Sequence, residues 1–352
     1  MPLASEQPII ISRPDFERML GFARAVLRLT ANASYLDLLH AALPSAARFD
    51  PGCASMLMGY DFHLTADGPK LIEINNNAGG IYRRAGHWLA QQAELFDEPL
   101  EARLLSMFPE TWRSIAIMDE AIREQYMYPE MLAYARLLEA DGRTVWLCEP
   151  QEISGMAAGL SLEGKRIDAI YNRHTDFYLE TEALAAVRQA YLAGSVALNP
   201  HPRSYALIGD KSRMVDWWRP GLLERCVGPE EVVLIREVTP ETRLLAEMER
   251  DAVWSDRNAW MFKPSARHGG KGVVTGRSIS RKRFDELDGA TTVMQRFVPP
   301  SEVTIDGATF KLDVRLYMHG ERLIALAGRV WRGQLTNFRE PGSGWVSLAV
   351  HD

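Results

Sequence analysis

A mixed α/β fold is what the chain predicts, and three observations carry that expectation. Stretches with apolar residues at helical spacing alternate with short apolar runs at strand spacing. A strand–helix–strand unit is legible across residues 114–147. The C-terminal part is dense in strand-like segments, and such alternation belongs to α/β or α+β architectures. The 352 residues suffice for two or three packed units at roughly 100 to 200 residues each. With 47% hydrophobic and 24% charged residues, the balance is that of a chain that folds unaided.

Taken in order, Phe16, Met19, Leu20, Ala23, Val26 and Leu27 follow Pro14 at helical spacing and predict an amphipathic helix. Two apolar runs within residues 56–75 flank Thr65-Ala66-Asp67-Gly68-Pro69, which predicts a hairpin with Gly68 supplying a positive φ. Ile115-Ala116-Ile117-Met118 reads as a buried strand, Pro129 suits a helix N1 position, and Leu132, Ala135 and Leu138 give that helix its stripe. Gly142 closes it before a strand at Thr144–Leu147. A strand over Ile167–Tyr171 places Asn172-Arg173 at its C-terminal edge, where open α/β sheets bind ligands. Asn199-Pro200-His201-Pro202 is a rigid break. Beyond it a helix is expected near 208–218, a strand around 232–236, a helix near 240–250, and strands at Trp260–Lys263, Thr292–Phe297, Lys311–Met318 and Arg322–Ala327. Residues 1–112 and 203–352 are expected to complete one unit, with 113–202 as an inserted substrate domain.

Acidic side chains outnumber basic ones 46 to 40, a net charge of −6, which argues against a nucleic-acid partner. Cys53, Cys148 and Cys226 form no CxxC pair and no disulfide framework, as expected in a reducing cytoplasm. The N-terminus lacks the pattern of a secretory signal, and no apolar run is long enough to span a membrane. A cytoplasmic protein is the expectation.

Five segments carry candidate chemistry. If the hairpin turn is the three residues 66–68, Asp61 stands opposite Glu73 with Asn75 on the same face. Facing carboxylates repel unless a cation neutralises them, and two acids with an amide oxygen are hard ligands of the kind Mg²⁺ takes; a solvated face is the alternative. The stretch Asn76-Asn77-Ala78-Gly79-Gly80 that follows suits close approach of a ligand. Lys263 ends a strand before a loop containing Gly269, Gly270, Lys271 and Gly272, whose backbone N–H groups can close on phosphate oxygens. It is not a Walker A motif, because GxxxxGK[ST] is absent, and a plain turn is the alternative. Lys211 opens a helix after Gly209-Asp210, and Gln295, Arg296, Phe297 and Val298 lead from a strand into Pro299-Pro300. Late in the chain, Lys311, Asp313 and Arg315 share a strand face, and Arg329 and Arg332 flank Trp331; guanidinium forks match phosphate or carboxylate geometry.

Together these pieces resemble the ATP-grasp fold. Gly59-Tyr60-Asp61-Phe62 through Leu71-Ile72-Glu73-Ile74-Asn75 precedes Phe262-Lys263-Pro264 and Arg332, whereas most members have the lysine and glycine-rich loop first, so the fold reads as circularly permuted. That order, with a βαβ-containing Rossmann-like insert, is similar to eukaryotic-type glutathione synthetases over roughly residues 56–350. The resemblance implies ATP and Mg²⁺ as cofactors. It implies Glu73, Asn75 and Asp61 as metal ligands, Lys211 and Lys263 on the ATP phosphates under the Gly269–Gly272 loop, and Gln295 to Val298 as the adenine hinge. It implies Arg332 beside the reacting carboxylate, with Arg315 grouped as catalytic, and Arg173 with Asn77 as substrate-binding.

Departures are visible. Arg267 stands where a metal-binding glutamate is expected, Gly59 where a substrate arginine is expected, and Arg123–Pro129 lacks the dipeptide-binding polar residues. The reading is therefore an ATP-dependent carboxylate–amine ligase acting through an acylphosphate, with a product other than glutathione. Its partners are a small-molecule carboxylate and an amine, and a homodimer is left open. A kinase on the same fold and a nucleotide-binding regulatory module are the alternatives.

Overall fold

The helix Arg13–Leu29 begins where Ser12 accepts a hydrogen bond from the Asp15 N–H and Pro14 occupies the first turn. Its buried face presents Phe16, Met19, Phe22, Ala23, Val26 and Leu29. Phe22 meets Phe62 and Trp217 edge-on at 5.9 and 6.1 Å, which fixes the helix against the largest sheet. The computed structural model describes residues 8–84, 94–265, 272–334 and 342–352.

That sheet has six strands and draws on both ends of the chain. Gly344–Val346, Arg322–Trp331, Ala308–His319, Met58–Thr65 and Gly68–Asn75 lie side by side, and Ser301–Ile305 pairs with the first half of Ala308–His319. Tyr60, Phe62, Ile74, Val314, Leu316 and Leu326 face the helical layer. Alternation therefore turns Asp61, Glu73, Arg315 and Arg329 to the other side.

A four-stranded antiparallel sheet, Thr242–Leu244, Thr292–Arg296, Trp260–Pro264 and Val274–Thr275, stands across from this polar face. Residues 113–202 hold a four-stranded parallel sheet in the order Ala197–Asn199, Ala169–Asn172, Ser114–Met118, Thr144–Cys148. One face packs Ile115, Ile117 and Tyr171 on the helix Tyr128–Ala140, and the other packs Ala116, Ile170 and Leu198 on the helix Ala185–Leu192. Apolar residues on both faces are what a covered parallel sheet requires.

Three expectations change. Residues 232–236 lie in the helix Pro229–Val238, because Pro229 opens it, Glu230 and Glu231 fill its first turn, and Val232, Ile235 and Val238 recur at helical spacing. The strand instead falls at Thr242–Leu244, inside the stretch expected to be helical, with the helix Arg250–Ser255 after it. The run Ile167–Tyr171 is also divided. Lys165–Ile167 belongs to a three-stranded sheet and Ala169–Asn172 to the parallel one. Asp168 between them accepts from the Ser114 N–H and hydroxyl at 2.9 and 2.8 Å.

Candidate active site

The hairpin reaches its register by a different route from the one expected. Thr65 pairs with Gly68, so the turn is two residues, and an uninterrupted ladder would set Asp61 against Ile72. A β-bulge intervenes: Phe62 pairs with Leu71 and Asp61 with Glu73, leaving Ile72 outside the ladder. The freed Ile72 carbonyl accepts a hydrogen bond from Lys263 Nζ at 2.9 Å. One inserted residue thus brings Asp61 and Glu73 together and gives the opposing sheet its anchor.

Asp61 is fully buried and does not stand as an open metal ligand. Arg315 grips it with Nε to Oδ1 at 2.5 Å and Nη2 to Oδ2 at 2.7 Å, and Arg329 Nη2 reaches Oδ2 at 2.7 Å. Arg329 also clasps Asp313 at 2.6 and 2.7 Å. Burial alone would raise the Asp61 carboxyl's pKa, but the two guanidinium groups hold it below the ordinary carboxylate value. Two acids and two arginines close into a quartet, so at Asp61 guanidiniums do the neutralising that sequence reasoning gave to a cation. Asn75 Nδ2 donates to Asp61 Oδ2 at 3.0 Å and to Glu73 Oε1 at 3.2 Å. Among the described residues, no three His, Cys, Asp or Glu gather as a metal cage. Glu73 and Asn75, both part-exposed, are the pair left to face a cation. One carboxylate and one amide suit Mg²⁺ bound mainly through substrate phosphates.

Lys263 faces them from the opposite sheet, buried, with Nζ 2.6 Å from Gln295 Oε1. Burial pushes its ammonium down to about 8; Glu73 and Asp61 oppose that shift and Lys211 adds to it. Lys211, Lys263 and Glu73 are therefore within electrostatic reach of one another. Lys211 is buried and caps the short helix Ser212–Trp217.

The loop after Asn75 is held from every side. Ser204 Oγ donates to Asn76 Oδ1 at 2.6 Å, the Ala78 N–H to Leu57, and Tyr317 Oη to the Gly79 carbonyl at 2.9 Å. The Gly80 N–H goes to buried Glu130 at 2.7 Å. Arg173 hydrogen-bonds Asn77 Oδ1 directly and lies 3.3 Å from Tyr171 Oη, so the two residues expected at a substrate site meet. Gly80 has φ +97°, and a Cβ there would fall 2.2 Å from Trp345 Cζ2, which is why only glycine fits. Arg173 leaves the parallel sheet between Ser114–Met118 and Ala169–Asn172, where the strand order reverses. Across that crevice sits buried Asp119, its carboxyl pushed up to about 6 by burial against the Glu120 N–H and the Arg173 charge.

Other expected residues fall elsewhere. Arg332 is exposed, its guanidinium 4.5 Å over the Phe310 ring. Phe310 packs with Leu312 and Val330 on the side of the sheet away from Asp61 and Glu73, so Arg329, not Arg332, is the late arginine at this face. In the expected adenine hinge, the Arg296 and Phe297 N–H groups bond to Glu241 and Ala259, and the Val298 carbonyl lies 3.0 Å from His63 Nδ1. The Arg296 side chain pairs with Glu241 and Asp256 on the surface, and Gln295 is turned inward to Lys263. Gly269, Gly270 and Lys271 lie outside the described residues, while Gly272 has φ +80°. Sequence reasoning missed Asp119 and Glu130, and named Arg329 only together with Arg332, as guanidiniums suited to an anion. The structure instead sets Arg329 against Asp313 across the hairpin that turns at Gly320.

Two solved structures share the fold of this chain, which is of the glutathione synthetase-like kind. A glutathione synthetase-like effector from Globodera pallida in its apo form is 12% identical, covers 98% of this chain and 89% of its own, and superposes with a TM-score of 0.63. A protein described as a gamma-glutamylcysteine synthetase from Methylobacillus flagellatus KT is 13% identical over 92% of this chain and 86% of its own, with a TM-score of 0.54. The ATP-grasp ligase PsnB with a minimal precursor is more distant, 14% identical over 66% of this chain and 75% of its own, at 0.41. No protein-family model and no curated protein matches the sequence.

Proposed function

We propose that the protein is an ATP-dependent, ADP-forming carboxylate–amine ligase whose segment order is a circular permutation of the usual ATP-grasp order. The observation that carries this reading is the reach of Lys263 from one sheet to the Ile72 carbonyl of the other, beside Glu73 and Asn75, with Lys211 within electrostatic reach. Two cations and a hard-ligand pair facing each other form a cradle for nucleotide phosphates and their counter-ion. The resemblance to glutathione synthetase-like structures supports it at the level of fold.

Lys263 and Lys211 hold the phosphates. Glu73 and Asn75 would hold Mg²⁺, which would offset phosphate charge. A substrate carboxylate oxygen attacks the γ-phosphorus in line and ADP leaves with the bridging oxygen. An amine then attacks the acyl carbon, loses a proton, and expels phosphate carrying the former carboxylate oxygen. Positive charge and backbone donors facing the reacting oxygen stabilise the tetrahedral intermediate. Arg173 with Asn77 binds the substrate at the crevice of the parallel sheet, beside Asp119. Arg315 acts from within the quartet, holding Asp61 and reaching the Gly79 carbonyl at 3.5 Å.

The test is ADP release across a panel of amino acids and short peptides, followed by the mass of the product. Release that needs both a carboxylate and an amine, with a hydroxamate when hydroxylamine replaces the amine, is expected. ATP binding without turnover across the panel would leave the regulatory-module reading. A phosphorylated product that yields no hydroxamate would leave the kinase.

A further inference from the structure

We propose that Gln295 is a positioning residue that sets Lys263 for a phosphate oxygen and does not read the adenine; this rests on the phosphate role given to Lys263 above. The two side chains come from neighbouring antiparallel strands. Gln295 pairs with Met261 and Val293 with Lys263, so Gln295 is the diagonal neighbour of Lys263 on one face of the sheet. There Gln295 Oε1 lies 2.6 Å from Lys263 Nζ, and the Ile72 carbonyl of the facing sheet lies 2.9 Å from it. Both oxygens can only accept, so the lysine donates to each. An amide turned over would set its NH₂ against a group that donates.

A lysine is a compact charge on a flexible four-carbon stem. One acceptor would tether Nζ and still let the stem swing about it. Two acceptors approaching from different sheets leave Nζ one place. They also occupy two of its three tetrahedral positions, which fixes the direction of the third. Gln295 is itself held: it is 2% exposed, and its Nε2 donates to Met214 Sδ at 3.4 Å. Met214 lies on the helix Ser212–Trp217 that Lys211 caps. One amide therefore touches Lys263 with its oxygen and the helix of Lys211 with its nitrogen, and ties the two cations of the cradle to each other.

The experiment compares ADP with adenosine, both by competition against a fluorescent ADP analogue, with thermal unfolding alongside. Gln295→Met keeps the length of the side chain and removes the acceptor. It is expected to weaken ADP about tenfold, the low end of what losing a hydrogen bond to a charged group costs, while adenosine affinity stays within about twofold. Gln295→Asn, whose amide falls one methylene short of Nζ, is expected to show the same phosphate-dependent loss, and it serves if the methionine variant does not fold. Because Gln295 acts through Lys263, adding Gln295→Met to Lys263→Met should produce no further loss of ADP affinity, the non-additivity of a shared route. Folded Gln295 variants that bind ADP as the wild type does, an equal loss for adenosine, or additive losses in the double variant would overturn the positioning role and leave Lys263 on the phosphates. A Lys263→Met variant that binds ADP as tightly as the wild type would overturn the phosphate reading and this inference with it.

Discussion

Lys263 carries its ammonium in a place that penalises it, and that gives a measurable pH dependence. With the free group near 8, a phosphate ligand binds the protonated form and raises its pKa, so affinity is full below about pH 8 and falls as pH rises through it. ADP affinity is expected to drop by up to about tenfold per pH unit above that point, and Lys263→Gln should flatten the profile; an unchanged slope in that variant would assign the titration to another group. Arg332, exposed over Phe310, is expected to change turnover less than about threefold as Arg332→Ala, within the range of surface substitutions. A loss of 100-fold would return it to the reacting carboxylate. Residue types and order pointed to Lys211, Lys263, Glu73, Asn75 and Arg173. They did not reveal that Asp61 is consumed by Arg315 and Arg329, because pairing across strands 254 and 268 residues apart in sequence leaves no local trace. The same holds for Glu130 beneath Gly80, a buried acid that accepts from a backbone N–H of another element.

At the scale of elements, the hairpin shows how a correct contact can rest on a wrong turn. The apolar runs and Gly68 made the hairpin legible, but the two-residue turn and the bulge at Ile72 cancel in register. The long helix at the start was legible because its apolar stripe and caps agree. Phe22→Ala, removing the ring that meets Phe62 and Trp217, is expected to cost about 3–5 kcal/mol in denaturant unfolding. The helix Pro229–Val238 was misread because Val-Val-Leu-Ile imitates a strand when the period-three positions are overlooked. In the loop, Gly80→Ala meets both a positive φ and the Trp345 ring. At least about 1–3 kcal/mol of strain is expected, read as a lower Tm together with lost turnover; wild-type values for both would mean that the loop is not held as described.

Across the whole molecule, strand-rich composition and motif order pointed to an ATP-grasp-like layout, and the large sheet does join residues 58–75 to residues 301–346. A net charge of −6 hides a cleft where two buried lysines face Glu73, a separation of charge that no global count reports. The substrate was not legible, because the crevice to which we assign recognition draws Asp119 and Arg173 from the ends of different strands. The most direct measurement of the central claim is the reaction run in ¹⁸O-labelled water with ATP, Mg²⁺ and a pool of amino acids and short peptides. Ligation through an acylphosphate predicts ADP, unlabelled inorganic phosphate, and a product whose mass is that of acid plus amine less one water. Phosphate carrying ¹⁸O, the mark of simple hydrolysis, or no ADP at all would contradict it.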